Sequence, residues 1–317
     1  MNSTAIKTAT ALKPFNYMEN LGSLFLESLD ASEKTRSTYQ RALRQFLFYL
    51  KAEGIEEPER EDILAYKSKL SEEGKKPSTI QNYIVVVKLF CAWLEDEGYI
   101  EKNPARKVKG AKLDRNFKKD VLTEQQQIDL LNSIDRSTLQ GKRDFAIIVL
   151  MSTNGLRDIE VVRANIEDIR TVFSERVLYV QGKGREEKTE AAVLDSVVEK
   201  AIRDYLKERE CKDPSAPLFA SLDHKGKGER LSTRSISRII KNALIDIGID
   251  SERVTAHSLR HTAITNALKA GATLQQVQQF ARHVSPSTTL IYSHNLEAVK
   301  NPCSKLNAAL YKGVVNI

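Results

Sequence analysis

Cysteine is scarce and badly placed for a covalent or metal-bound framework. The chain has three, Cys91, Cys211 and Cys303, an odd number at wide spacing with no CxxC pair and no Cys/His cluster. That pattern argues against a disulfide scaffold and a zinc site, and reads as three reduced structural thiols. Long apolar runs are missing too. Nothing approaches the roughly 20 residues of a membrane-spanning helix, and the segment from Met1 to Glu19 lacks the short apolar core of a secretory signal, so a cytoplasmic protein without a membrane partner is expected. There is no internal repeat and no low-complexity tract. No cluster of carboxylates suggests a pair of divalent ions held roughly 4 Å apart, and neither a metal nor a cofactor is implied.

At 317 residues the chain is about twice the usual domain size, which predicts two domains with separate cores. Lys and Arg outnumber Asp and Glu by 49 to 42, a balance compatible with a polyanionic partner. The first sixteen residues show no periodicity and are expected to be flexible. From Ser32 to Gly54, Tyr39, Leu43, Phe46, Leu47 and Leu50 recur at helical steps, with Gly54 at the stop. A second helix is expected over about 60–70. Pro77 opens a third, striped by Tyr83, Val87, Phe90, Trp93 and Leu94. Residues 101–120 break the pattern with eight basic residues against three acids. Within them Arg106, Lys107, Lys109 and Lys112 suit either a solvated linker or a strap along phosphates.

Helices resume after Thr123, an N-cap with Gln126 three residues on, over about 123–134 and 140–152. The runs Arg176–Gln181 and Lys188–Leu194 are β-prone and flank a GKGREE turn, which predicts a hairpin. Further helices are expected over 197–210, 233–246, 258–270 and 274–282. The fold class is therefore mainly α with a small β-hairpin or sheet (α+β).

The second half carries, in order, Arg157 and Glu160 in NGLRDIE, Lys183 in QGKGRE, His257 and Arg260 in TAHSLRH, His283 in ARHVSPSTT and Tyr292 in LIYSH. Singly each has an ordinary explanation. An Arg-x-x-Glu pair is usually a surface helix contact. His257 and His261 lie four apart and would meet on a helix without any ligand, and a lone tyrosine is usually core.

As an ordered set these segments resemble the catalytic pattern of the tyrosine recombinases, or phage integrase family: Arg…Lys…HxxR…His or Trp…Tyr. The resemblance extends to the G-L-R-x-x-E context of Arg157, the hairpin lysine Lys183 and the tyrosine nine residues after His283. Two departures stand out. Arg282 replaces the family's usual glycine before the histidine, and Asn154 replaces a common threonine before Gly-Leu-Arg. The resemblance implies a helical core-binding domain (17–103), a basic linker (104–117) and a mixed catalytic domain (118–317). Its tail from about Asn295, with Leu296, Val299, Leu306, Ala309 and Leu310 at near-helical spacing, suits either a terminal helix packed in its own domain or, as the resemblance implies, docking on a neighbouring protomer. It implies double-stranded DNA as partner and a homotetramer on two paired sites. Sixteen leading residues are too few for the additional arm-binding domain of some integrases, which suggests an Xer-like recombinase or a compact integrase of a mobile element.

The chemistry demands these residue types. Attack on a phosphodiester adds negative charge to the non-bridging oxygens, and Arg157 and Arg260 each offer a permanently charged planar fork to them. A phenol with a pKa near 10 is only about a thousandth ionised at neutral pH, so Tyr292 needs an acceptor, for which His257 is the candidate. Lys183 would protonate the leaving 5′ oxygen, His283 would hydrogen-bond the phosphate, and Glu160 would support the site. Two other readings share these residues: a type IB topoisomerase-like nicking-closing enzyme, and a DNA-binding regulator that has lost its chemistry. Length and the helical first domain favour recombination over the first, and a complete catalytic set disfavours the second.

Overall fold

The computed structural model describes residues 14–112, 120–182, 184–224 and 226–300. Lys183, Lys225, residues 113–117 of the expected linker and the two after it, the first thirteen residues of the expected flexible start and the tail beyond 300 lie outside the described residues. The chain forms two compact units, Met1–Arg115 and Asn116–Ile317.

The first unit holds α1 (Pro14–Ser28), α2 (Glu33–Glu53), α3 (Arg60–Glu72) and α4 (Pro77–Asp96). Helix α1 begins at Pro14, inside the stretch expected to be unstructured. Helix α2 starts where the Ser32 hydroxyl accepts from the Thr35 N–H, and it stops at Gly54 in the left-handed conformation (φ 67°), as the glycine stop signal requires. The apolar stripes seen in the sequence meet in one core of Leu43, Phe46, Leu50, Tyr66, Ile84 and Phe90, with the Phe46 and Tyr66 rings 5.1 Å apart. Residues 103–112 are packed on this core rather than strung out from it. Ala105 and Val108 are buried, and Lys67 and Lys88 donate to the carbonyls of Lys109 and Val108. Arg106, Lys107, Lys109 and Lys112 remain exposed, and Arg106 pairs with Glu95.

The second unit contains α5 (Glu124–Asn132), α6 (Leu139–Asn154), α7 (Asp158–Arg163), then β1 (Ile169–Val172), β2 (Glu175–Val180) and β3 (Glu190–Val193). It continues with α8 (Ser196–Arg209), α9 (Thr233–Asp246), α10 (Ala256–Lys269), α11 (Leu274–Ala281) and α12 (Pro286–Lys300). Thr123 caps α5 in a capping box with Gln126. The expected hairpin is β2–β3, and β1 adds a third antiparallel strand at its edge, with Leu178 facing both Ile169 and Ala192. Helix α6 is central. Its Ile147, Ile148, Leu150 and Met151 are buried, and it packs on α8 and α10. Its last turn ends at Gly155 in the left-handed conformation (φ 57°), which turns the chain sharply into Leu156 and Arg157.

Phe46 is fully buried in the first core, so Phe46→Ala is expected to cost about 3–5 kcal/mol, read as a lowered midpoint in thermal or urea unfolding of the full chain.

Candidate active site

Arginines from the start of α7 and the end of α11 meet on one buried carboxylate. Glu160 lies on the first turn of α7 and has no solvent exposure. Its Oε2 accepts from the Arg157 backbone N–H at 2.9 Å and its Oε1 from Arg157 Nη1 at 2.5 Å. The Arg-x-x-Glu spacing thus lets Glu160 cap the start of α7 through the Arg157 N–H, with the carboxylate buried rather than on the surface. Arg282 Nη2 approaches the same carboxylate at 3.2 Å. Burial pushes the Glu160 pKa up, but the charges of Arg282 and Arg157, with the backbone hydrogen bond from Arg157, outweigh it and hold the carboxyl below its ordinary value.

The two expected arginines are aimed by backbone carbonyls. Arg157 Nη2 donates to the carbonyl of Arg282 at 3.2 Å. Arg260, on α10 and almost fully buried, donates from Nη1 to the Gly155 carbonyl at 2.5 Å and from Nη2 to that of Ala281. The carbonyls of Ala281 and Arg282 stand at the C-terminal end of α11, where the helix dipole favours cations. Burial, with repulsion from Arg157, pushes the Arg260 guanidinium down to about 9, so it remains charged at neutral pH.

Tyr292 sits on the second turn of α12, 5 % exposed, packed with Ile264, Val277 and Ala281. Its hydroxyl oxygen is 2.5 Å from Nδ1 of His261, and its ring stacks on His283 with centroids 5.9 Å apart. Burial raises the phenol to about 12, against the pull of the Arg260 and Arg157 charges. His283 Nδ1 is 2.9 Å from the Thr289 hydroxyl. His257 is exposed and meets His261 edge-on, ring centroids 4.6 Å apart. The i,i+4 contact legible in the sequence is therefore present, but its buried member is the ring that touches the nucleophile candidate.

Beside this cluster an open cleft of about 260 Å³ is lined by Arg157, Arg282, His283, Ser285 and Thr288, with Gly182, Arg185 and Glu190 from the β2–β3 hairpin. Gly182 immediately precedes Lys183. The fold brings together Arg157, Glu160, Arg260, His283 and Tyr292 from the expected set, with His257 one ring further out. Two participants were not assigned from sequence. His261 was visible only as a packing partner of His257, and Arg282 only as a departure from the family pattern. Asn154, the other departure, donates from Nδ2 to the Val193 carbonyl at 2.6 Å, tying the end of α6 to β3.

Comparison with known proteins places the chain in a family. Residues 120–298 match the phage integrase family and residues 23–98 the phage integrase N-terminal SAM-like domain. A tyrosine recombinase XerC from Thermodesulfovibrio yellowstonii is 30% identical over 289 residues, covering 88% of this chain and 91% of its own. A tyrosine recombinase XerD from Listeria monocytogenes serotype 4b is 31% identical over 273 residues, covering 83% and 88%. Among solved structures, the XerH site-specific recombinase bound to a palindromic difH substrate superposes with a TM-score of 0.70 at 20% identity, covering 90% of this chain and 85% of that one. A lambda integrase (75–356) dimer bound to a COC′ core site gives 0.67 at 18%, covering 86% and 96%. Both are likenesses of fold.

Burial lowers the pKa of His261 and of His283 to about 4, well under the roughly 6.5 of a solvated imidazole. The unfolded chain then binds more protons than the native one between those values, so stability present above pH 6.5 is lost as pH falls towards 4. The unfolding midpoint should drop by the equivalent of a few kcal/mol across that window. His261→Asn should flatten the dependence, and a midpoint insensitive to pH over this range would contradict the burial of both rings.

Proposed function

Because the chain belongs to the phage integrase family, the tyrosine recombinases, we propose that its active site cleaves and rejoins DNA strands through a covalent 3′-phosphotyrosine at Tyr292. The enzyme is a DNA strand-exchange recombinase that needs neither metal nor ATP. The observation that carries the site assignment is that Arg157 and Arg282 meet on the fully buried Glu160 while His283, which lines the same cleft as Arg157, stacks on Tyr292.

The step begins with the scissile phosphate in the cleft, its non-bridging oxygens taken by the guanidiniums of Arg157 and Arg260. His283, with Nδ1 engaged by Thr289, turns Nε2 to the same phosphate. The Tyr292 oxygen attacks phosphorus as the bond to the 5′ oxygen breaks. The phenolic proton passes to His261, and His257, the base expected from the sequence, links that buried ring to solvent. Lys183, next to the cleft-lining Gly182, protonates the departing 5′ oxygen. The bond energy stays in the phosphotyrosine, so the free 5′ hydroxyl of another strand reverses the step and exchange replaces hydrolysis.

The partner is double-stranded DNA, on which exchange between two sites requires four cleaving protomers. The exposed Arg106, Lys107, Lys109 and Lys112 supply phosphate contacts from the first unit, and each should contribute to a binding affinity that falls with salt. No described helix is long and apolar enough to cross a membrane, and a cytoplasmic location fits an enzyme that acts on DNA.

The test uses a nicked duplex carrying the protein's own site, selected from a random-sequence library by retention on the protein. In EDTA and without ATP, the wild type is expected to accumulate a covalent protein–DNA adduct. Tyr292→Phe should bind the duplex equally well and form none. Arg157→Lys, which keeps the charge but not the fork, is expected to slow adduct formation by roughly 10²–10³-fold. An adduct that persists in Tyr292→Phe would contradict the assignment.

A further inference from the structure

Arg282 has no part in the reaction above, yet it occupies the centre of the site. It ends α11 with φ 53°, a conformation that glycine adopts freely and a side-chain-bearing residue only under strain. Its guanidinium is nonetheless buried, 5 % exposed. Nη1 donates to the Phe280 carbonyl at 2.8 Å, and Nη2 reaches the carbonyls of Asn154 at 3.3 Å and Gly155 at 3.2 Å. The same Nη2 lies 3.2 Å from Glu160 Oε2, while Nε, also buried, has no hydrogen-bond partner.

We propose that Arg282 is a positioning residue for strand cleavage: it holds the Glu160 carboxylate so that Arg157 can turn its guanidinium from Glu160 to the scissile phosphate. The assignment rests on Arg157 binding that phosphate, as set out above.

The geometry supplies the reason. Arg157 divides its fork between Glu160 Oε1 and the Arg282 carbonyl, so an incoming phosphate competes with a carboxylate for the same donors. A buried carboxylate deprived of its cation is strongly unfavourable, and with Arg157 as the sole counterion Glu160 would retain it. Arg282 addresses the other oxygen, and its remaining donor contacts are to the Phe280, Asn154 and Gly155 carbonyls. Charge balance points the same way. Three guanidiniums, Arg157, Arg260 and Arg282, face one carboxylate, an excess that a phosphodiester and the further charge of its pentavalent transition state would neutralise. Among the cations that hold the Glu160 carboxyl low, Arg282 exerts the largest effect.

A purely structural role is the rival account, since Arg282 also stitches the end of α6 to the end of α11. The two accounts separate in a double-mutant cycle of Arg282→Gly and Glu160→Gln, with Arg282→Lys as the conservative variant. All are assayed on the selected nicked duplex for site binding and for the rate of adduct formation. Arg282→Gly restores an unstrained backbone at 282 and should bind the duplex within threefold of wild type while cleaving at least tenfold more slowly. Arg282→Lys should recover part of that loss. In a Glu160→Gln background, where no carboxylate needs a counterion, adding Arg282→Gly should change the rate by less than twofold. The proposal is overturned if Arg282→Gly cleaves within twofold of wild type, if binding and cleavage fall together, or if the tenfold loss persists with glutamine at 160. A wild type that forms no adduct would overturn the recombinase site assignment and this role with it, whereas a wild-type adduct with an indifferent Arg282→Gly overturns this role alone.

Discussion

A carboxylate sealed from water has to be neutralised where it stands, and in this protein that requirement organises the site. Glu160 is completely buried, and the guanidiniums of Arg157 and Arg282 sit on its two oxygens. Each of those arginines, and Arg260 with them, also donates to backbone carbonyls at the ends of α6 or α11. The ion cluster therefore pins two helix ends and the first turn of α7 against α10. Because the cations outnumber the anion, the cluster holds a standing positive charge at the edge of the cleft. A pre-arranged excess of this kind stabilises a transition state that gains negative charge, with little reorganisation at the moment of reaction.

Tyr292, the proposed nucleophile, is governed by the same field. Burial makes ionised Tyr292 costly and raises its pKa to about 12, while Arg260 and Arg157 pull it down. The imidazole beside it is held neutral by burial and by the positive charges around it, so it is an acceptor at physiological pH rather than another cation. In the proposed reaction a buried phenol bonded to a neutral imidazole is a reserve nucleophile, called on when a phosphate occupies the guanidiniums.

Much of this was legible in the sequence because the signals were local and redundant. Ser32, Gly54, Pro77 and Thr123 mark helix ends by hydrogen-bonding and dihedral constraints that act within four residues, and all four stand at helix ends in the structure. Strand β1 gave no such signal. Its turn to β2 is made by Phe173 and Ser174, both with positive φ, where the usual Asn-Gly or Asp-Gly is absent. The start of helix α12, from Pro286 to about Asn295, was missed because its N-terminal turn is polar and its buried face serves only a small cluster. Arg157, Arg260 and Tyr292 were found by order and spacing. The bonds from Arg157 to the Arg282 carbonyl, from Arg282 to the end of α6 and from His261 to the phenol join residues as far as 128 positions apart, and pairings of that range leave no periodicity to read.

The central claim is that one phenolic oxygen, next to a guanidinium cluster held by a buried carboxylate, becomes bonded to the 3′ side of a broken DNA strand. Mass spectrometry of the proteolysed covalent complex measures this most directly. The account predicts a nucleotide, attached through its 3′ phosphate, on the peptide containing Tyr292 and on no other. A nucleotide carried by a different residue, or by a 5′ phosphate, would contradict it.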